Sequence, residues 1–230
     1  MLVVTHIYSW IHELHRERPY LVPALFFAIM QALVLSALMQ TQPARALLFW
    51  YCNNVSFFFA IAFWDGNLQM VKGLSYVGIL PQLLWLSDFL SHLVGFDLSN
   101  TANYIFIEGL TFSSGVSVFI HFGIPLVALV YTARVRPAPR SLYYSALFAG
   151  GLYIATVAGT SPADDMNCVF NACTHGTFPY HVIFWPLYMA VLVLGAFGLH
   201  ESLYLLDRKY REPIIARMPT KWITLAQGFL

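Results

Sequence analysis

Six long apolar stretches, separated by short polar ones, set the pattern of this chain. A helix needs about 20 mostly apolar residues to cross about 30 Å of hydrocarbon. Residues 20–39, 46–63, 70–90, 111–132, 142–160 and 182–204 meet that requirement, the second being the shortest. The prediction is an all-α fold, a polytopic membrane helix bundle of six transmembrane helices over residues 20–206. Residues 1–19 differ in kind. Val3, Val4, Ile7, Trp10, Ile11 and Leu14 fall on one side of a helix, and His6, Ser9, His12, Glu13, His15 and Arg16 mostly on the other. That spacing predicts an amphipathic helix lying in the membrane interface, and no signal peptide is expected there. Residues 207–230 form a basic tail in which Tyr210, Trp222 and Phe229 accompany the cations, a mixture suited to an anionic inner leaflet.

The polar stretches orient the bundle, because Lys and Arg accumulate in cytoplasmic loops. With the N-terminus inside, Arg16, Arg18, Lys72, Arg134, Arg136, Arg140, Arg208, Lys209, Arg211, Arg217 and Lys221 lie inside, and Arg45 alone lies outside. Both termini are therefore expected on the cytoplasmic side, with the protein in the cell membrane if the source is prokaryotic. Asp65-Gly66-Asn67 predicts a tight inner turn. Pro81, Pro125 and Pro186 fall inside spans, where kinks open a cavity or are simply accommodated. Gly151, Ala155 and Gly159 recur every fourth residue and predict a close-packing face on the fifth span. His200-Glu201 reads as an interfacial pair with its polar atoms in the headgroups.

Composition sharpens the class. The 230 residues are 59% hydrophobic and only 10% charged, with a net charge of +1. Soluble domains carry about 25% charged residues. A mean hydropathy of +0.65 agrees with a lipid-facing surface. No basic stripe or nucleic-acid motif is present, so membrane lipids rather than nucleic acid are the expected partners. Nothing in the chain requires a cofactor.

Polar groups at membrane depth mark candidate function. Cys52, Asn53 and Asn54 open the second span, His121 sits within the fourth, and Asp88 closes the third with His92 beyond it. At about 1.5 Å per residue, Cys52 lies about 9 Å and His121 about 14 Å below the outer surface, a difference within the uncertainty of span ends. These residues are expected to share an outer-half pocket. A thiol alone in hydrocarbon is inert, but a neighbouring imidazole can take its proton. Asn53 or Asn54 would then hold the ring or a developing oxyanion. Acyl transfer or acyl hydrolysis is the chemistry such a set performs. The alternative is a filler cysteine and a packing histidine in a non-enzymatic membrane protein: a small-solute carrier, receptor or assembly factor.

Short motifs carry a resemblance. Cys52-Asn53-Asn54-Val55-Ser56, Tyr76-Val77-Gly78 with Pro81, Phe119-Ile120-His121-Phe122-Gly123, Met166-Asn167-Cys168 and Trp185-Pro186-Leu187-Tyr188 together resemble the transmembrane protein 164 family, which includes bacterial YwaF-like integral membrane proteins. They span roughly residues 50–190. The chain departs from the family in the last outer loop, where Asn-Tyr-Met is usual and Met166 here follows Asp164-Asp165. The resemblance implies a six-helix membrane fold and a phospholipid acyltransferase activity. It places the essential Cys and His at Cys52 and His121, and a lipid acyl chain as substrate.

The same outer loop holds Cys168, Cys173, His175 and His181. A disulfide between Cys168 and Cys173 is the leading expectation on an oxidising face. A zinc site built from all four residues is the weaker alternative, since the spacing matches no common zinc module.

Overall fold

The computed structural model describes residues 18–39, 50–96, 98, 102–109, 111–133, 135–161, 169 and 181–217; in 210–217, and at Glu108 and His181, only the backbone is described. These residues are all-helical. In chain order the helices are α1 (Leu21–Leu38), α2 (Tyr51–Trp64), α3 (Leu68–Leu93), α4 (Asn103–Glu108), α5 (Phe112–Thr132), α6 (Pro139–Gly159) and α7 (His181–Arg217). Four are long and apolar enough to cross a membrane: α1, α5, α6 and the Val182–Lys209 part of α7. The protein is a membrane protein on that ground. The described part of α2 is 14 residues long, and residues 46–49, expected to begin its span, lie outside the described residues. The amphipathic segment 1–17 and the tail beyond Arg217 lie outside them as well.

α3 is the hub, in contact with α2, α5, α6 and α7. From Val71 to Ile79 every one of its residues is buried, so helices surround this stretch. It starts from the expected turn: Gly66 takes φ 64°, and Asn67 caps α3 by accepting from the Met70 amide at 3.1 Å. The Asn67 amide also donates to the Tyr144 hydroxyl of α6 at 2.8 Å. One residue thus ends the turn, starts α3 and ties it to α6.

In lipid no hydrophobic drive holds helices together, so close fit and interhelical hydrogen bonds decide the packing. α1 and α2 meet through fully buried Phe27, Phe59 and Phe63; the Phe27 ring stacks on the other two with centroids 4.8 and 5.5 Å away. α3 and α6 meet where Gly73 brings the backbones together. A Cβ there would lie 2.5 Å from the Ser141 carbonyl oxygen, and the Ser145 hydroxyl donates to the Gly73 carbonyl at 2.8 Å.

The small-residue face predicted on α6 is not the packed one. Gly151, Ala155 and Gly159 are exposed, and a Cβ on Gly151 would meet nothing within 4 Å. The buried stripe is Ser141, Ser145, Ala149, Leu152 and Thr156. It too has helical spacing, and the Ser141 and Ser145 hydroxyls donate to main-chain carbonyls, which lets a polar face lie inside the bundle. α7 runs 37 residues, about 55 Å at about 1.5 Å per residue, so it outruns the hydrocarbon and carries the first part of the basic tail as helix.

Candidate functional site

The α2 side begins with an aromatic brace. Tyr51 opens α2, and its hydroxyl donates to the Leu74 carbonyl of α3 at 2.8 Å. Gly78 makes the seat, since a Cβ at that position would run into the Tyr51 phenol. Cys52 follows. Its Sγ lies 3.7 Å from the Asn53 side-chain oxygen, a weak thiol hydrogen bond. Asn53 is tied through its main chain as well: its carbonyl accepts from the Gln31 Nε2 of α1 at 3.0 Å, while the Phe57 amide donates to the Gln31 Oε1 at 3.1 Å. The Asn54 amide donates to the Trp50 carbonyl at 3.3 Å.

The α5 side is built around His121, which is 9% exposed. Its Nδ1 lies 2.8 Å from the Ser117 carbonyl oxygen. A carbonyl has no proton to give, so Nδ1 carries the hydrogen, and in the neutral ring Nε2 holds the lone pair. The ring lies on Trp85 of α3, with centroids 4.0 Å apart and planes 18° from parallel. Trp85 in turn stacks on Phe89.

Asp88, one helical turn beyond Trp85, is fully buried, and its Oδ2 accepts the Ala102 amide at 2.8 Å. His92 lies with Nδ1 3.9 Å from the Asp88 Oδ1 and stacks on Phe106 of α4 at 4.9 Å. Asp88 and His92 therefore pin the segment carrying α4 to the end of α3.

Hydrogen bonds gather the expected site residues in two groups. Cys52 and Asn53 belong with Gln31, with Asn54 on the neighbouring Trp50 carbonyl; Asp88 belongs with Ala102 and His92, next to the Trp85–His121 stack. The thiol and the imidazole are not hydrogen-bonded to each other: the thiol turns to Asn53 and the imidazole to Ser117. Cys52 nevertheless packs against the apolar cluster that contains Val116 and Ile120, the latter directly preceding His121 on α5. A separate cleft of about 290 Å³, lined by Arg18, Tyr20, Trp64 and Asp65 among others, opens at the Gly66 turn, at the far end of α2 from Cys52.

Cys168, Cys173 and His175 lie outside the described residues, as does the His181 side chain, so the disulfide and zinc expectations fall there too. Among the described residues no group of three or more His, Cys, Asp or Glu is placed to hold a metal ion.

Sequence reasoning passed over a further polar group. His200 is not an interfacial side chain: it is 5% exposed, between α7 and α3, with its ring 5.2 Å from that of Tyr76. Lys72, counted above among the cytoplasmic cations, is 0% exposed. Each looks in isolation like a residue reaching for headgroups. Only the fully surrounded position of α3 separates them from that class.

No family model, curated protein or solved structure matches this chain.

Proposed function

We propose that the chain is a six-span integral membrane protein with both termini cytoplasmic, and that it transfers or hydrolyses the acyl chain of a membrane lipid. In this reading Cys52 is the nucleophile and His121 the general base. The observation that carries it is the fixed tautomer of His121: the Ser117 carbonyl holds the Nδ1 proton and leaves the Nε2 lone pair free to take another. Motif resemblance to the transmembrane protein 164 family supports the same pair.

The chemistry is a two-step acyl transfer. The Cys52 sulfur attacks the ester carbonyl as its proton passes to His121. The ester C–O bond breaks, and the leaving alcohol recovers that proton, leaving a thioester on Cys52. A second alcohol or a water, deprotonated by His121, then attacks the thioester and regenerates the thiol. Catalysis requires the thiol to exchange its hydrogen bond with Asn53 for one with His121.

A second reading is favoured by that same resting arrangement. With the thiol on Asn53 and the imidazole on Ser117, the two are packing and binding groups of a non-enzymatic membrane protein. A thiol-directed activity probe on detergent-purified protein, with the adduct mapped by mass spectrometry, separates the two. Selective labelling of Cys52 that is lost in His121→Ala supports the enzyme. Equal labelling of Cys52 with and without His121, or none in a folded protein, removes it.

A further inference from the structure

Away from Cys52 and His121, α3, α6 and α7 enclose a group of buried polar atoms without hydrogen-bond partners. The Lys72 Nζ, the Tyr76 hydroxyl and both ring nitrogens of His200 are among them. Lys72 and Tyr76 are 0% exposed. Buried polar atoms in folded proteins are nearly always satisfied, so four in one place call for an account.

The four belong to one site. The Tyr76 and His200 rings meet edge to face, and the Tyr76 hydroxyl looks toward Ser141 without closing a hydrogen bond on it. Lys72 lies within electrostatic reach of His200 and of Glu201. No ion pair joins Lys72 to Glu201, so the ammonium is not neutralised by contact.

The site is rich in donors. Lys72 offers three N–H bonds, Tyr76 one, and His200 one or two. Two helix N-termini add to them. α3 starts at Leu68, about 6 Å below Lys72 at about 1.5 Å per residue, and α6 starts at Pro139, two residues before Ser141. Gly73, in the second turn of α3, packs against Ser141 near the start of α6. Neither helix has an acid in its first turn; the α3 end is capped only by the neutral Asn67 amide and the α6 end has no side-chain cap, so both keep their positive dipole ends. Glu201 is the acid that balances Lys72 when nothing else does.

We propose that Lys72, Tyr76 and His200, with the N-terminal ends of α3 and α6, form a binding site for a phosphate oxyanion, carried by a lipid headgroup or free in solution. Three donor side chains and two dipole ends match the several acceptor oxygens of a phosphate. Lys72 lies about two helical turns, and Tyr76 about three, from the Gly66 turn at one end of the bundle, a depth a Lys side chain can bridge toward headgroups. The site shares no residue with the acyl chemistry.

The test is thermal unfolding of the full chain in a neutral detergent, titrated at constant ionic strength with inorganic phosphate, with phosphatidylglycerol in mixed micelles, or with diacylglycerol as a phosphate-free lipid. A ligand that binds the folded state raises the midpoint with the logarithm of its concentration. The wild type is expected to respond to phosphatidylglycerol and not to diacylglycerol. A parallel response to inorganic phosphate identifies free anion as sufficient, and its absence identifies a lipid-borne phosphate. Lys72→Met should weaken the response roughly tenfold or more, the scale of one charge-assisted hydrogen bond. Tyr76→Phe combined with His200→Leu keeps the ammonium, removes the other side-chain donors and should also weaken it, which covers failure of Lys72→Met to fold. Arg208→Gln with Lys209→Gln on the exposed part of α7, and Cys52→Ala, should leave it unchanged. A wild type indifferent to both phosphate sources, or variants at Lys72, Tyr76 and His200 that respond as the wild type does, overturns the proposal.

Discussion

The side-chain amide of Gln31 on α1 donates to the main-chain carbonyl of Asn53 on α2 at 3.0 Å. Its oxygen accepts from the Phe57 amide. Asn53 and Phe57 stand four apart, so the donor and acceptor Gln31 engages are the two ends of one rung of the α2 ladder. A side chain of α1 thereby behaves like a peptide unit of α2, and it does so next to Cys52.

Gln31→Leu removes that bridge while keeping volume. The expected cost is about 0.6–1 kcal/mol, the usual value for one interhelical polar contact in a membrane. The midpoint of thermal unfolding in detergent reads it, and Gln31→Glu should recover less than half, since it keeps an acceptor for Phe57 and loses the donor to Asn53.

Glycines on α3 and α6 should respond in opposite ways to the same methyl group. Gly78→Ala forces the Tyr51 phenol from its seat, and Gly73→Ala drives a Cβ into the Ser141 carbonyl. Each is expected to cost about 1–3 kcal/mol, the range for overpacking. Gly151→Ala has open space around it and should stay within about 0.5 kcal/mol of wild type. Parallel unfolding curves of the three variants decide it.

Asp88→Ala leaves the buried Ala102 amide without an acceptor. The expected loss is about 1–3 kcal/mol, concentrated on the segment Asp88 holds. Limited proteolysis between residues 97 and 110 should therefore accelerate more than global unfolding does. Asp88→Asn keeps an oxygen for the amide and should cut at close to the wild-type rate.

Asn67 combines a cap with an interhelical bond, and two substitutions separate them. Asn67→Ala loses both and should cost about 0.5–2 kcal/mol. Asn67→Asp keeps the acceptor for the Met70 amide but has no proton for the Tyr144 hydroxyl, which then must donate in its place. Its midpoint should fall between the wild type and Asn67→Ala.

Particular residues show what was legible in the sequence. The apolar run 111–132 became α5 at 112–132, and 142–160 became α6 at 139–159, because in lipid every backbone polar group must be satisfied within its own helix and hydropathy alone marks the helix. The turn at Gly66 was legible from its dipeptide. Which face of a helix is buried was not. α6 carries two regular stripes, one of Gly and Ala and one of Ser, Ala and Thr, and the choice between them lies with α3, through Gly73 and the carbonyls near it. His200 was misread for a related reason: a polar residue near a span end reaches headgroups unless neighbours enclose it, and the burial of Lys72 on α3 was equally invisible. The candidate site was legible as residue types. Span depths place Cys52, His121 and Asp88 near one level and leave their azimuth open, and azimuth is what turned Asp88 toward Ala102 and His121 toward Trp85.

The burial of residues 71–79 of α3 on every side, and of Gln82, Trp85 and Asp88 beyond them, bears on how the chain is made. On a translocon-based scale a Lys or Asp costs up to about 2.5–3.5 kcal/mol at the centre of a lone helix; α3 carries Lys72 and Asp88 nearer its ends and Gln82 between them, all inward, and is not among the helices apolar enough to cross a membrane. It is a poor substrate for partitioning by itself. The three-residue turn at Gly66 couples it to α2 as a hairpin, whose aromatic face is apolar enough to bring α3 along. On the proposed six-span topology, the α2–α3 hairpin is expected to enter as one unit, with its polar face covered once α5, α6 and α7 are synthesised. A chain truncated after residue 133 should be retained with the insertion machinery and degraded there.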